Sequence, residues 1–230
     1  MKIHGLQKMT LLDYPGKVAC TVFLGGCDMR CPFCHNAELL DGSAPPIMDE
    51  PELLSFLEKR KGLLDGVAIT GGEPLLQKDL PDMLSQIREL GYPVKLDTNG
   101  THPERLRSLI EKELVQYVAM DIKNAPDRYA ETAGLPVFDL TPVRESVSLL
   151  MENRTEYEFR TTVVAEFHDD RSFEQIGKWI CGAKHYYLQK FTDRDTVPFE
   201  GLHAPEDEQM YRWAELLRND IPSIALRGVD

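Results

Sequence analysis

The chain has 230 residues and carries 38 acidic against 26 basic side chains, for a formal net charge of −12. This acidic balance disfavours nucleic acid as a partner, because phosphate binding needs clustered Lys and Arg. The length suits one α/β domain with a large core, and we expect residues 1–230 to form it.

The first ten residues lack the layout of a secretory signal, and no apolar run approaches the roughly 18 to 20 residues that span a bilayer. We therefore expect no membrane association and a cytoplasmic location. Five cysteines, three of them close together, favour metal or redox chemistry over a disulfide framework.

Apolar, β-rich stretches alternate with segments of helical periodicity along the chain. The predicted strands are residues 17–24, 66–70, 93–98, 117–122, 157–164 and 185–191. The segments of helical periodicity include residues 49–61, 80–90, 103–114, 141–153 and 204–220, and residues 221–228 are expected to form a short extended tail. The spacing indicates repeated βα units, too few for a closed eight-stranded barrel. The sequence therefore predicts an α/β fold, a partial (β/α)6 barrel with parallel strands.

Polar motifs follow these predicted strands. The loop 25–36 follows the first, "GGEP" (71–74) the second, "DTNG" (97–100) the third and "DIK" (121–123) the fourth, while Arg160 lies within the fifth and Gln189 near the end of the sixth. In parallel α/β folds, chemistry gathers at the carboxyl ends of the strands. We expect these residues to converge on one rim.

Cys27, Cys31 and Cys34 are spaced C-x3-C-x2-C in the loop after the first strand. A structural zinc site requires four ligands, and a cubane iron–sulfur cluster generally has four thiolates as well. Three thiolates would leave one iron of such a cluster open to an outside ligand. The alternative is a zinc knuckle, or thiols packed as small apolar groups. We expect Cys20 to be buried in the first strand and Cys181 to be inert, so that neither is a ligand.

This cysteine spacing, with the aromatic Phe33 before the third cysteine, resembles the signature of the radical S-adenosylmethionine enzymes. The resemblance implies that the three thiolates hold a 4Fe-4S cluster and that the open iron chelates the amino and carboxylate groups of S-adenosylmethionine. In that family, an electron from the cluster cleaves the sulfonium and releases a 5′-deoxyadenosyl radical. The protein would orient this radical toward its target hydrogen and shield it from water and oxygen.

The "GGEP" motif is similar to the family motif that lines the methionine amino group. By this resemblance Gly71, Gly72 and Glu73 are cofactor-binding residues, with Glu73 either contacting the cofactor or bracing the loop. Taken alone, the motif would indicate only a turn.

The "LDTNG" and "MDIK" motifs look like those of the activases of glycyl radical enzymes, especially the pyruvate formate-lyase activating type. The resemblance places Asp97, Asp121 and Lys123 around S-adenosylmethionine, and implies a possible monovalent cation held by Asp97, Thr98 and Asp121. A structural ion pair between one of the aspartates and Lys123 is the alternative, because charges at strand ends are costly to bury unless paired.

Two further residues complete the predicted cofactor site. Arg160 is similar to an arginine that lies near the cofactor in the family, although its strand pattern also permits an outward-facing side chain. Gln189 stands where the pyruvate formate-lyase activase has a histidine toward the ribose, and an amide can still bond hydroxyl groups.

The first 36 residues resemble the anaerobic ribonucleoside-triphosphate reductase activating proteins. This implies that the substrate is a backbone glycine of a partner enzyme, which becomes a glycyl radical under anaerobic conditions. Only Cys181 follows Cys34 in the sequence, so a second cluster is not expected and the electron would come from a flavodoxin or ferredoxin.

The alternatives are the activase of another glycyl radical enzyme, of the pyruvate formate-lyase type, or a radical S-adenosylmethionine enzyme that acts on a small molecule or peptide. A more distant alternative is a non-catalytic iron–sulfur electron carrier or zinc scaffold. Such a protein would not need the glycine, aspartate and lysine motifs that converge on the rim.

Overall fold

The computed structural model describes residues 1–229, which are organised around one eight-stranded sheet. The strands are β1 (Lys2–Ile3), β2 (Gly5–Thr10), β3 (Ala19–Leu24), β4 (Met48–Asp49), β5 (Gly66–Gly71), β6 (Val94–Thr98), β7 (Tyr117–Asp121), β8 (Glu156–Val163), β9 (Tyr186–Lys190) and β10 (Ile224–Arg227). The helices are α1 (Glu50–Glu58), α2 (Leu80–Glu89), α3 (Pro103–Glu111), α4 (Tyr129–Ala133), α5 (Thr141–Met151), α6 (Asp170–Trp179) and α7 (Asp207–Leu217).

The large sheet has the strand order β10-β9-β8-β7-β6-β5-β3-β2. From β3 through β5 to β9, each strand pairs in parallel with the next, so the six predicted strands lie side by side in chain order. This confirms the α/β fold and its partial barrel of parallel strands. Strands β1 and β4 form a separate antiparallel pair.

Two edge strands extend the sheet beyond the prediction. Strand β2 pairs antiparallel with β3, and β10 pairs in parallel with β9. The predicted extended tail, residues 221–228, thus contains a strand, Ile224–Arg227, whose pairing with the sheet was not predicted. Both edges are short or largely exposed, so neither carries the continuous apolar run that marks the central strands.

Alternate residues of each central strand face opposite sides of the sheet. In β6, Val94 and Leu96 are buried and apolar, whereas Lys95 and Asp97 carry charge. The same alternation puts Arg160 of β8 in contact with Asp97 and Asp121. The inner face of the partial barrel is therefore polar, while the outer face forms the apolar core with the helices.

Helix starts follow from local chemistry. At α1, Asp49 accepts the Glu52 backbone N–H while the Glu52 carboxylate accepts that of Asp49, which is a capping box. At α6, the Asp169 carboxylate accepts the backbone N–H of Ser172 at 2.8 Å. These caps stabilise the first turn of each helix, where the chain leaves the preceding segment.

One sheet includes strands from Gly5 to Arg227, and a single domain over residues 1–230 stays a prediction. Within residues 1–229, no helix combines the length and the apolar character needed to cross a membrane.

Candidate active site

The loops at the carboxyl ends of the parallel strands surround a cavity of about 380 Å³. All but one of the predicted site residues line it, namely Cys27, Cys31, Phe33, Cys34, Gly71, Gly72, Asp97, Thr98, Asp121, Lys123, Arg160 and Gln189. The exception is Glu73, which lies buried behind the cavity wall. The fold thus brings residues from six strands to one place.

The cysteine loop (residues 25–36) is held by backbone hydrogen bonds to the turn that follows it. The Gly26 N–H donates to the Leu39 carbonyl at 2.7 Å, and the Cys27 N–H donates to the Leu40 carbonyl at 3.0 Å. Within the loop, the Cys34 N–H donates to the Cys31 carbonyl at 3.1 Å. These bonds fix the backbone of all three cysteines before any ligand binds.

The three thiols are buried or half-buried and face the same cavity. Burial raises the pKa of Cys27 to about 12 and that of Cys31 to about 11, and it also raises the pKa of Cys34. Free thiols in this site are therefore protonated at neutral pH, and a bound metal centre has to displace their protons.

The donor set fits a polynuclear cluster. The Met29 N–H lies 3.4 Å from the Cys27 sulfur and the Asn99 amide nitrogen lies 3.9 Å from it, so the protein supplies N–H donors to a sulfur ligand. Across residues 1–229, no group of three or more His, Cys, Asp or Glu side chains is arranged to hold a single metal ion. Three thiols spread around a cavity match a 4Fe-4S cluster with one open iron.

Phe33 packs against Phe167, with ring centroids 6.0 Å apart, and is almost fully buried. After the third cysteine, His35 stacks on Phe191, and its Nε2 lies 2.7 Å from the Thr192 carbonyl oxygen. These contacts tie the end of the cysteine loop to the segment after β9.

A polar network that the sequence did not reveal anchors the first cysteine. Asp28 accepts hydrogen bonds from the Asn99 side-chain amide at 2.7 Å through Oδ1 and from the Thr101 hydroxyl at 2.6 Å through Oδ2, and His102 Nε2 lies 3.2 Å from Oδ2. Burial alone would raise the pKa of Asp28, but its contacts with His102, Thr101 and Asn99 hold it at about 2. The ionised Asp28 thus joins the cysteine loop to the loop after β6.

The two glycines of "GGEP" permit a close approach of two backbones. A Cβ at Gly71, where φ is +128°, would lie 2.1 Å from the Leu24 carbonyl oxygen. A Cβ at Gly72 would lie 2.0 Å from the Gly26 carbonyl oxygen. Any side chain here would push the loop after β5 away from the cysteine loop.

Of the two roles that the motif allows for Glu73, contact with the cofactor or bracing of the loop, its hydrogen bonds correspond to bracing. Its carboxylate accepts the Leu75 N–H at 3.0 Å, the Thr98 hydroxyl at 2.9 Å and the Asn99 N–H at 2.7 Å. Burial raises the pKa of Glu73 to about 7 in spite of these donors. Glu73 therefore links the loops after β5 and β6 and does not point at the cavity.

Five charged side chains on the inner face of the barrel form what we call the charge ladder. Its members, in order of contact, are Lys95, Asp97, Arg160, Asp121 and Lys123. Arg160 bridges the two acids, with Nη1 3.2 Å from Asp97 and Nε 2.9 Å from Asp121, and thus faces inward. The Lys123 ammonium lies 2.9 Å from Asp121, and Lys95 pairs with Asp97.

The charges of the ladder stabilise one another. Burial opposes ionisation of Asp121, but the Arg160 and Lys123 charges hold its pKa at about 2. The pKa of Asp97 is lowered against burial by Arg160 and Lys95 in the same way. The ladder therefore presents ionised groups of both signs to the cavity at neutral pH.

The acids predicted to hold a monovalent cation are paired with protein cations. Each oxygen of Asp97 and Asp121 accepts a hydrogen bond from Lys95, Arg160 or Lys123. The Thr98 hydroxyl donates to Glu73 instead of facing the two acids. Lys95 was not predicted as a site residue, because a single lysine within "VKLDT" looks like an outward-facing residue of an alternating strand.

The helix α4 supports the cysteine loop from its other side. The Arg30 N–H donates to the Ala133 carbonyl at 2.8 Å. Gly134 then takes a left-handed conformation at φ +69°, and a Cβ there would lie 1.9 Å from the Arg30 carbonyl oxygen. The segment after β7 thus requires a glycine where it meets the cysteine loop.

We expect the substitution Gly134→Ala to lower the iron content of the reconstituted protein. The left-handed backbone alone costs ~1–2 kcal/mol for a residue with a side chain, and the clash with Arg30 displaces the loop that carries Cys31. The measurement is iron and sulfide per chain after anaerobic reconstitution. Gly182→Ala is the matched control, since Gly182 has φ +83° but open space around its Cβ position. Equal iron content in both variants would contradict the supporting role of α4.

Comparison with known proteins gives a consistent result. The family model described as the radical SAM superfamily matches residues 21–180. A Methanocaldococcus jannaschii protein, provisionally named a glycyl-radical enzyme activating enzyme, is 31% identical over 238 residues that cover 99% of this chain and 96% of that protein. The pyruvate formate-lyase-activating enzyme of Listeria monocytogenes is 25% identical over 240 residues, covering 90% of this chain and 92% of that enzyme.

Among solved structures, Streptococcus suis SuiB bound to S-adenosylmethionine superimposes with a TM-score of 0.70 at 12% sequence identity. The match covers 90% of this chain and 52% of the SuiB chain. At this identity the likeness shows a common fold.

Proposed function

Because the chain belongs to the radical SAM superfamily, which implies a 4Fe-4S cluster and S-adenosylmethionine, we propose that it is an activase that generates a glycyl radical on a partner enzyme. The observation that supports this most strongly is the shared cavity, in which three thiols face a ladder of charges of both signs. An electron carrier would need the thiols but not the ladder.

The chain's own residues bind and orient the reactants. When bound, the cluster and S-adenosylmethionine supply a carbon-centred radical that removes a hydrogen atom from the substrate. Cys27, Cys31 and Cys34 would hold three irons, and the cavity beside them leaves room for a ligand on the fourth. The loops that line the cavity would limit the access of water to the reaction.

The charge ladder suits the methionyl part of S-adenosylmethionine, which carries an ammonium and a carboxylate. Each oxygen of Asp97 and Asp121 keeps a second lone pair that can accept from the ammonium, while Lys123 and Arg160 can neutralise the carboxylate. These four side chains are already fixed by one another, so little ordering is needed on binding. Gln189 also lines the cavity and offers an amide to hydroxyl groups such as those of a ribose.

The finer proposal is that the partner is an anaerobic ribonucleoside-triphosphate reductase. It rests on the resemblance of the first 36 residues, whereas relatives named as pyruvate formate-lyase-activating enzymes favour the second candidate. We place the reaction in the cytoplasm, where thiols remain reduced. The electron would come from a flavodoxin or ferredoxin, since the fifth cysteine, Cys181, is a single exposed thiol far along the chain from the cysteine loop.

We expect the anaerobically reconstituted and reduced protein to convert S-adenosylmethionine into 5′-deoxyadenosine and methionine. With an anaerobic ribonucleotide reductase present, electron paramagnetic resonance should show a glycyl radical on that partner. A parallel sample with pyruvate formate-lyase separates the two candidate partners. Absence of cleavage would refute the enzyme, and cleavage without a glycyl signal on either partner would favour a small-molecule or peptide substrate.

A further inference from the structure

The two acids of the charge ladder leave no carboxylate oxygen without a cationic donor. Asp97 pairs with Lys95 through Oδ1 and with Arg160 through Oδ2 at 3.2 Å. Asp121 pairs with Arg160 through Oδ1 and with Lys123 through Oδ2, both at 2.9 Å. Three protein cations thus surround two protein anions.

This arrangement disfavours a bound metal cation at the same place. An added Na⁺ or K⁺, which unlike the methionyl group brings no carboxylate of its own, would join a group that already has one excess positive charge, in a partly buried site where charges are weakly screened. It would also need oxygen ligands, and the Thr98 hydroxyl that could provide one is engaged with Glu73 and with the Gly100 N–H. The protein cations already neutralise the acids.

Lys95 is the unusual member of the ladder. Its side chain is 2% exposed, whereas those of Lys123 and Arg160 are 16% and 14% exposed. It lies on β6 two residues before Asp97, on the same face of the strand, and reaches that acid from below the cavity. Burying a lysine this deeply costs free energy unless its charge is paired, and here it is paired with Asp97.

We propose that Lys95 takes the place of a monovalent metal ion, so that the site binds and cleaves S-adenosylmethionine without Na⁺ or K⁺. The inference rests on the proposed cleavage of S-adenosylmethionine, and it concerns the positive charge that pairs with Asp97 during that reaction. Lys95 is a positioning residue: it neutralises one oxygen of Asp97 and thereby fixes the orientation of Asp97 toward Arg160. Through Asp97, the side chains of Arg160 and Asp121 are then also held in the positions that suit the ligand.

The test compares K⁺ and Na⁺ with tetramethylammonium at equal ionic strength, using the anaerobically reconstituted protein. The first readout is thermal unfolding without S-adenosylmethionine or reductant. The unsubstituted protein should unfold at the same temperature in all three salts. Lys95→Met should unfold at a lower temperature and show a saturable rise with K⁺ or Na⁺, while Lys95→Arg should be insensitive to the choice of salt.

The second readout is the rate of 5′-deoxyadenosine formation. Replacing K⁺ by tetramethylammonium should leave the rate of the unsubstituted protein unchanged. Lys95→Met should lose about tenfold or more in tetramethylammonium, the usual cost of removing a residue that orients a ligand-binding group, and should recover with K⁺. Lys61→Met, which removes an exposed lysine paired with Glu58, is the control for loss of a lysine charge.

A saturable effect of K⁺ or Na⁺ on the unsubstituted protein, in either readout, would overturn the proposal. So would a Lys95→Met protein whose deficit is the same in every salt. If no protein cleaves S-adenosylmethionine, the proposed function fails, and the unfolding comparison still decides whether Lys95 substitutes for a metal cation.

Discussion

Replacing Cys31 with alanine is expected to abolish both iron–sulfur loading and cleavage of S-adenosylmethionine. Cys31 is almost fully buried, its carbonyl oxygen accepts the Cys34 N–H, and its thiol faces the cavity. With two thiols left, two irons of a cubane would lack a protein ligand, and the cluster would be lost during purification. The measurements are iron and sulfide per chain, the visible absorption of the cluster, and 5′-deoxyadenosine after reduction.

The controls are the two cysteines outside the cysteine loop. Cys181 is exposed, and Cys20 is buried in β3 among apolar neighbours. Cys181→Ala should keep full iron content and cleavage. Cys20→Ala should keep the cluster and lose some stability, because it removes a buried sulfur from the core. If Cys181→Ala lost the cluster as completely as Cys31→Ala, the ligand assignment would be wrong.

The central strands were predictable because they are buried on both faces. Residues 66–69 and 117–120 are largely apolar runs followed by polar motifs, and the structure has strands at Gly66–Gly71 and Tyr117–Asp121. Sequence periodicity reports burial, so it locates such strands well. It does not report pairing at an edge, where exposed residues alternate with half-buried ones, and β2 and β10 were missed for that reason.

The site was predictable where function requires an unusual residue type at a strand end. Cysteines, glycines and acids in those positions have few structural explanations, and the structure gathers them around one cavity. Residues that act through others carry no such signal. Asn99 and Asp28 are ordinary polar residues in loops, and only the fold shows that they meet. Lys95 likewise becomes informative only when its contact with Asp97 is seen.

Glu73 illustrates how a motif can be located correctly while its role is decided by neighbours. The sequence left open whether it contacts the cofactor or braces the loop. Leu75, Thr98 and Asn99 all donate to its carboxylate, so it links two segments of the rim. Only the hydrogen bonds made in the folded chain distinguish the two roles.

Substituting Arg160 with methionine should produce the largest loss of stability among single changes in the charge ladder. Arg160 is 14% exposed and bridges Asp97 and Asp121, so its removal leaves one oxygen of each acid without a donor and breaks the link between the two acids. Breaking a buried ion pair by removing one partner typically costs ~3–5 kcal/mol. The measurement is urea unfolding of the reconstituted protein at neutral pH, with the free energy of unfolding compared between variants.

Two controls separate charge from packing. Arg160→Lys should lose less, because it keeps a positive charge but cannot bond both acids through a planar guanidinium. Arg154→Met removes an arginine from the exposed pair with Glu152, and should change the free energy of unfolding by at most ~1 kcal/mol.

The pH dependence of the Arg160→Met deficit follows from the acids it serves. In the unsubstituted protein the pKa of Asp121 is about 2, below the ~3.9 of an unfolded aspartate. That lowered pKa contributes stability which is fully present above the unfolded value and is lost as the pH falls through the folded one. Without Arg160 each acid keeps one lysine partner but loses its main lowering contribution, so both pKa values rise and the ionised acids contribute less stability than in the unsubstituted protein. The deficit should therefore be largest near neutral pH and shrink toward pH ~4, whereas a deficit independent of pH would show that Arg160 acts by packing.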